Sequence, residues 1–395
     1  MEISSWRQIR ATTLIGWLGM RDRLGSSLVT FVGITVVVAV LVSVLAMSTS
    51  FKAMMSATGR ADRAIVLNGG ADSELSSYLS HSDVTLISNA AGIALRSDGT
   101  PVASAEVVST VDLSGLGIDG SVTVRGVGPQ APNVRPELTI VEGKSFQAGK
   151  AELIVGSRLR KEFPFLTLGG RIRIGDSDWA IVGVFKADGG THDAELVGDA
   201  ESMLSTFHRD RLQSVTVLLK SDAEFPAFKA ALTTNPRLSV EVAREDVYYR
   251  TISNAFGSSL RFVAYVMGGL MAGGALVGCL NTMYTSVSLR AKEMGTLRAI
   301  GFGNFAIVCS VMSEALLLAV CAAFMGLLLG YLAVGHATAA TVDSNLSKVI
   351  FEIRLTPDIA MEGAGWALLI GFAGGLAPAL RAVRQPIVMA LRAHA

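Results

Sequence analysis

Apolar positions lie along this chain in two patterns, long unbroken runs and short alternating ones, and each predicts a different kind of element. Leu28–Ser48 reads LVTFVGITVVVAVLVSVLAMS with no charged residue, about the 20 residues a helix needs to cross a hydrocarbon core roughly 30 Å thick. Further runs follow at Phe262–Met283, Val308–Leu332 and Glu362–Leu380, the last rich in glycine, as helices packed in lipid often are. A cleaved signal peptide is the competing reading of the first run. The apolar core of such a peptide is roughly 7–15 residues, shorter than this one, so a retained anchor is expected. Ahead of it, Trp6, Ile9, Thr13, Trp17, Met20 and Leu24 recur at three- and four-residue steps. That spacing predicts an amphipathic helix lying in the headgroup plane, or packed on protein.

Between Ala64 and Glu245 the pattern changes to short β-type runs separated by Gly, Asp, Ser and Pro. Arg171–Phe185 predicts a hairpin: Ile172 and Ile174 alternate with Arg171 and Arg173, a GDSD turn follows, and an apolar second strand returns. Ser214–Lys220 and Leu238–Val242 alternate likewise, and Ala223–Thr234 between them has Phe225, Phe228 and Leu232 at helical spacing. A mixed α/β domain is expected. Phe51–Arg63 continues the first run outward, Asp246–Arg261 leads into the second without a strong breaker, and together they predict helical stalks joining that domain to the bilayer.

The fold class read from these patterns is an α-helical membrane protein with four transmembrane helices, one plus three, and a large mixed α/β extracytoplasmic domain inserted between the first and second. The expected divisions are 1–27, an amphipathic N-terminal helix; 28–48, the first span; 49–261, the α/β domain with its stalks; 262–283, the second span; and 284–307, a loop holding a short helix. The third span at 308–332, a short outer loop at 333–361, the fourth span at 362–380 and a tail at 381–395 complete the chain. Basic residues set the orientation, because short loops rich in Lys and Arg stay in the cytoplasm. Arg7, Arg10, Arg21 and Arg23 precede the first span, Arg290, Lys292 and Arg298 lie between the second and third, and Arg381, Arg384 and Arg392 follow the fourth. Both termini are therefore expected in the cytoplasm of a bacterium, with the α/β domain in the periplasm.

Composition agrees with the membrane assignment. Half of the 395 residues are hydrophobic and the mean hydropathy is +0.48, too apolar for a soluble protein. The net charge of +1 is uninformative beside its asymmetry along the chain, and nothing in the sequence calls for nucleic acid. The 3 cysteines, Cys279, Cys309 and Cys321, fall in or beside the apolar runs, and a domain of this size needs no disulfides to fold.

Catalytic motifs fail one by one. Gly143-Lys144-Ser145 has the tail of a phosphate-binding loop, but Leu138 stands where its first glycine belongs. Gly126-Val127-Gly128 is not continued into a dinucleotide fingerprint, and no GxSxG elbow occurs. His192, Asp193 and Glu195 sit in a Gly/Asp/Thr-rich stretch and are expected to be a solvated loop, with substitutions at His192 doing little. Glu314 is the ionisable group set within the third span. No catalytic, cofactor or metal site is expected in the chain. Glycine pairs at 269/273, 274/278, 326/330 and 371/375 predict close helix packing, and a dimer is expected to enclose whatever pathway exists.

Ser286–Glu314 carries the strongest functional signal. Val287–Ile300 predicts a short charged helix, stopped by Gly301 and Gly303 before the third span, and on these residues alone a helix gripped by a cytosolic partner and a solvated connecting loop fit equally well. The residues Ser286, Val287, Arg290, Glu293, Gly295, Leu297, Arg298, Ala299, Gly301 and Phe302, followed by Glu314, resemble the signature of the MacB/FtsX-type permeases of ABC transporters. The outer segments VEGKSF (Val141–Phe146), ELIVG (Glu152–Gly156) and WAIVGVF (Trp179–Phe185) are similar to the periplasmic domain of the same family. This resemblance implies a coupling helix that docks on a separate cytosolic ATPase subunit, which would bind ATP and Mg. Arg290, Glu293, Met294, Leu297, Arg298 and Gly301 would serve the coupling, and Glu314 would support the joint at the third span. It also implies a second permease copy or paralogue, is compatible with a periplasmic adaptor, and makes this chain a non-catalytic subunit. ATP hydrolysis would be converted into mechanical work in the periplasm, in export or extraction of a lipophilic or peptide-like substrate. The alternative is an FtsX-like regulator that activates a periplasmic partner without transport.

Overall fold

A computed structural model of the protein describes residues 8–10, 12–14, 24–112, 121–334, 338–342 and 348–387. In chain order its elements are α1 (Leu24–Thr58), β1 (Arg63–Asn68), α2 (His81–Ser88), β2 (Ala103–Asp112), β3 (Ser121–Val127), α3 (Ala131–Val134), β4 (Thr139–Gly143), β5 (Glu152–Gly156) and α4 (Ser157–Glu162). There follow β6 (Arg171–Ile174), β7 (Ser177–Lys186), β8 (Glu195–Asp199), α5 (Ala200–Thr206), β9 (Ser214–Leu218), α6 (Phe225–Thr233), β10 (Val240–Arg244) and α7 (Glu245–Leu289). The chain continues through α8 (Ala291–Ala299), α9 (Asn304–Val334), β11 (Thr338–Val342), β12 (Lys348–Glu352) and α10 (Pro357–Arg384). The described residues divide into two compact units, one holding the chain up to 48 with 258–334 and 353–387, the other holding 49–257 and 338–352.

Among the described residues, α1, α7, α9 and α10 are the four helices long and apolar enough to cross a membrane. α1 is crowded with Val, Ile and Thr, residues that favour strands in water. In hydrocarbon an unpaired backbone amide costs several kcal/mol, so the helix, which satisfies its own backbone, overrides that preference. α10 starts on Pro357, where no amide is needed, and tolerates Pro378 within its length. Small residues set how closely the helices approach. A Cβ placed on Gly326 would stand 2.7 Å from Val38 Cβ, and one on Gly371 would stand 2.6 Å from Ala319 Cβ. The α9 and α10 glycine pairs are thus packing positions, whereas Gly269, Gly273, Gly274 and Gly278 on α7 face no atom within 4 Å.

The second unit is built on a 10-stranded sheet in the order β10-β1-β9-β2-β3-β8-β5-β7-β4, with β6 paired to β7. β3–β8 and β5–β7 are parallel and the other pairs antiparallel. Alternate residues of β1, β9 and β10 pack on α2 and α6 around Phe228, Ile87 and Leu232. Alternate residues of β2, β3, β5, β7 and β8 pack on α4 and α5 around the fully buried Trp179. The β6–β7 hairpin forms as its alternation predicts, with Ile174 opposite Ser177.

Three expectations need correction. The first stalk ends at Thr58, and Arg63 opens β1 instead of closing a helix. The segment expected as a short outer loop contains the β11–β12 hairpin, which joins the second unit. The stretch expected as a solvated loop is buried: His192 and Asp193 are each 3% exposed and Glu195 6%. Of the predicted N-terminal stripe, Trp6, Trp17 and Met20 lie outside the described residues, as does Arg392 in the tail. The described residues of that segment pack on protein. Thr12 Oγ1 donates to the Ala306 carbonyl at 3.2 Å, the Ser310 hydroxyl donates to the Thr12 carbonyl at 2.8 Å, and the Gly303 amide donates to Gln8 Oε1 at 3.2 Å.

Candidate functional site

The α7–α8–α9 junction brings together most of the residues singled out in the sequence. α7 stops at Leu289, Arg290 leaves helical geometry, and α8 resumes at Ala291, so the long helix and the short one meet at a single residue. Arg290 is 4% exposed. Its Nε donates to Glu293 Oε2 at 3.1 Å, and its Nη1 faces Glu314 Oε2 of α9 at 3.5 Å. The Ser286 hydroxyl donates to Glu314 Oε1 at 3.2 Å. A guanidinium and a carboxylate removed from water hold each other because neither has solvent to fall back on. The ion pair therefore fixes the corner where α7, α8 and α9 meet.

Apolar contacts close the same corner. Met294 of α8 is 5% exposed and lies in a cluster with Val287, Ile307, Val311, Met312, Ala379 and Ala382. Arg298 Nη1 donates to the Gln385 carbonyl at 2.6 Å, tying α8 to the residue after α10. α8 ends in a left-handed cap. Gly301 has φ +98°, its amide donates to the Arg298 carbonyl at 3.1 Å, and the Phe302 amide reaches the Leu297 carbonyl at 3.0 Å. A β-carbon at that φ would clash with the following carbonyl, which is why glycine stands there.

The sequence-selected residues thus separate by direction. Arg290 and Met294 are turned into the protein, Leu297 and Arg298 are half-buried, Gly301 turns the chain, and Glu314 is the buried partner of Arg290. Only Glu293, with its side chain 62% exposed, faces outward. Met294 is consequently a core residue of the junction and not a surface contact. The outward face also carries Leu289 (66% exposed), Thr296 and Ile300 (68% exposed). Positions 293, 296 and 300 follow a three-four step along α8 and its cap, with Leu289 exposed at the end of α7.

Comparison with known proteins places the chain among membrane transport components. The MacB-like periplasmic core domain matches residues 27–235 and the FtsX-like permease C-terminal domain matches residues 265–387. An uncharacterized ABC transporter permease, YknZ of Bacillus subtilis, is 24% identical over 287 residues, 68% of this chain and 70% of that protein. The macrolide export ATP-binding/permease protein MacB of Bdellovibrio bacteriovorus is 25% identical over 292 residues, 68% of this chain and 43% of that protein. The chain thus spans less than half the length of that relative. Among solved structures, the periplasmic region of MacB from Actinobacillus actinomycetemcomitans covers 50% of this chain at 16% identity with a TM-score of 0.37. The extracellular domain of YknZ from Gram-positive bacteria covers 46% at 16% identity with a TM-score of 0.36.

Proposed function

The chain belongs to the MacB/FtsX-type permease family, and from that premise we propose that it is the membrane subunit of an ABC transporter driven by an ATPase on a separate polypeptide. In this reading it sits in the bacterial inner membrane, with α8 and both termini in the cytoplasm and the α/β unit in the periplasm. The basic residues beside the spans support that orientation. Two copies, or this chain with a paralogue, engage two ATPases that bind ATP and Mg.

The observation that carries the reading is a short helix locked on its inner face and bare on its outer one. The Arg290–Glu314 pair and Met294 hold α8 against α7 and α9, while Leu289, Glu293, Thr296 and Ile300 are left for a partner. In this reading a displacement of α8 carries α7 with it through that pair and the apolar contacts around Met294. α1 and α7 each continue without a break from their apolar runs into the α/β unit. A rigid helix passes a displacement along its axis, so nucleotide-driven movement reaches the periplasmic side as work. Coupling of this kind requires two arrangements with different affinity for nucleotide. The substrate, lipophilic or peptide-like, is handled outside the bilayer or in its outer leaflet, with room for a periplasmic adaptor. An FtsX-like regulator would use the same α8, and the two are separated by whether a substrate stimulates the ATPase.

Purification of the tagged chain in mild detergent from its native membrane, with mass spectrometry of everything that accompanies it, tests the reading. A soluble ATPase with a phosphate-binding loop, recovered one-to-one and lost on Ile300→Asp, is the expected result. Recovery of no ATPase across several detergents overturns it.

A further inference from the structure

The sheet of the α/β unit has a second buried face, apolar around Phe185 and Val197 and ionic beside that cluster. Arg63 of β1, Thr216 of β9, Glu106 of β2, Arg125 of β3 and Glu195 of β8 alternate with the core residues and so point away from the apolar clusters. β1, β9, β2, β3 and β8 are consecutive neighbours in the sheet, so these residues form a row across five strands. None is more than 6% exposed. Arg125 Nη1 donates to Glu106 Oε2 at 2.7 Å and to Glu74 Oε1 at 2.9 Å, while its Nε donates to Glu195 Oε2 at 2.8 Å. Arg135 bonds Glu106, and its Nη2 donates to Thr216 Oγ1 at 3.2 Å and to Glu245 Oε1 at 3.3 Å. Arg63 donates to Glu245 Oε2 at 3.3 Å and to Glu137 Oε2 at 2.7 Å.

The two stalks end on this row. Glu245, fully buried in the first turn of α7, takes Arg63, Arg135 and the Arg60 amide, the last at 3.2 Å. Three residues on, the Tyr248 hydroxyl accepts the Glu74 amide at 3.1 Å. Thr58 Oγ1 in the last turn of α1 accepts the Thr191 amide at 2.9 Å. The next residue, His192, meets Glu195 Oε2 through Nδ1 at 2.9 Å. Gly59 lets the stalk ends touch directly, since a Cβ there would stand 2.7 Å from Asp246 Cα.

Apolar residues could fill this volume and hold it as firmly. Oriented charged hydrogen bonds add a directional preference to that packing. We propose that the row is a joint that fixes the ends of both stalk helices to five strands of the sheet as one body, with Glu245 and His192 as its positioning residues. The proposal deepens the transmission reading, which gives the joint its use, but its test needs no ATPase.

The test is hydrogen exchange read by mass spectrometry on the full chain in detergent. Glu245→Gln keeps the shape and removes the charge that Arg63 and Arg135 share. The joint predicts exchange faster by about ten-fold both in the first turn of α7 and in the turn Thr191–Ala194, which meets Thr58 and Glu195. α6, which covers β10 on the opposite face, keeps its rate. His192→Gln produces the reciprocal loosening in the first turn of α7 and decides the question alone if Glu245→Gln does not fold. Loosening confined to the mutated end, or an equal rise in α6, overturns the joint. If the joint holds and no ATPase accompanies the chain, the transmission reading falls by itself.

Discussion

Arg290 stands between two carboxylates of opposite exposure, and its environment separates structural from docking roles. Glu314→Ala leaves a buried guanidinium without its interior partner, and breaking such a pair costs about 3–5 kcal/mol. A clear fall in the unfolding midpoint in detergent is expected. Glu293→Ala removes the exposed partner, and pairs of that kind contribute about 0–1 kcal/mol, so the midpoint stays and only stimulation of the ATPase falls. The same division separates Met294 from Ile300. Met294→Asp places an unpaired carboxylate in the junction core and is expected to abolish the folded protein, whereas Ile300→Asp keeps the fold and loses the ATPase. Loss of folded protein on Ile300→Asp would place Ile300 in the core and contradict this division. The charged and apolar character of this helix was legible in the sequence, together with its glycine stop. Which of Met294 and Ile300 faces inward was not, because both are apolar and only the positions of α9 and α10 distinguish them.

At the scale of the element, glycine spacing meant different things on different helices. Gly371→Leu drives a side chain into Ala319 and Ala315, and overpacking of a close interface costs about 1–3 kcal/mol. Gly273→Leu on α7 meets open space and leaves the unfolding midpoint of the single chain unchanged. Comparing the two variants by thermal denaturation in detergent checks the assignment, and equal destabilisation would contradict it. The sequence presented the two positions alike, since a small residue every fourth position records what a helix can accept and not whether a neighbour is there. Alternation in the strands has the same limit. Arg171 and Arg173 alternate with isoleucines and are exposed, whereas Glu106 and Arg125 alternate with valines and are buried. Period two fixes the face a side chain takes, and what covers that face is decided elsewhere in the chain.

At the scale of the molecule, the buried row predicts a pH dependence. Burial by itself would raise the Glu195 carboxyl, but Arg125 and His192 outweigh it and hold the group well below the usual carboxylate range. Glu106 is lowered in the same way by Arg135 and Arg125 against the effect of burial, and Glu137 by Arg63. Depressed carboxylates add stability that is fully present above their unfolded value of about 4.3 and is lost as pH falls through it toward the folded values. The α/β unit is expected to unfold at a constant temperature between about pH 6 and 8 and at a falling one below about pH 4.5. Circular dichroism against pH reads this, and a flat curve to pH 3 would contradict the ionised row.

The sequence by itself determined the four apolar helices, the α/β insert between the first two and the charged helix before the third, because each is written in local periodicity and length. Water and lipid impose those patterns residue by residue, without reference to distant parts of the chain. The tertiary structure alone decided which face of α8 is free, that the β11–β12 hairpin joins the α/β unit, and that His192 and Glu195 are buried within that unit. Those outcomes depend on which surfaces meet, and residues as far apart as Arg63 and Glu245 become partners only when the sheet has brought them together. A charge in a sequence carries no mark of whether it will meet solvent or an opposite charge, and that difference separates a loop of no consequence from the proposed joint.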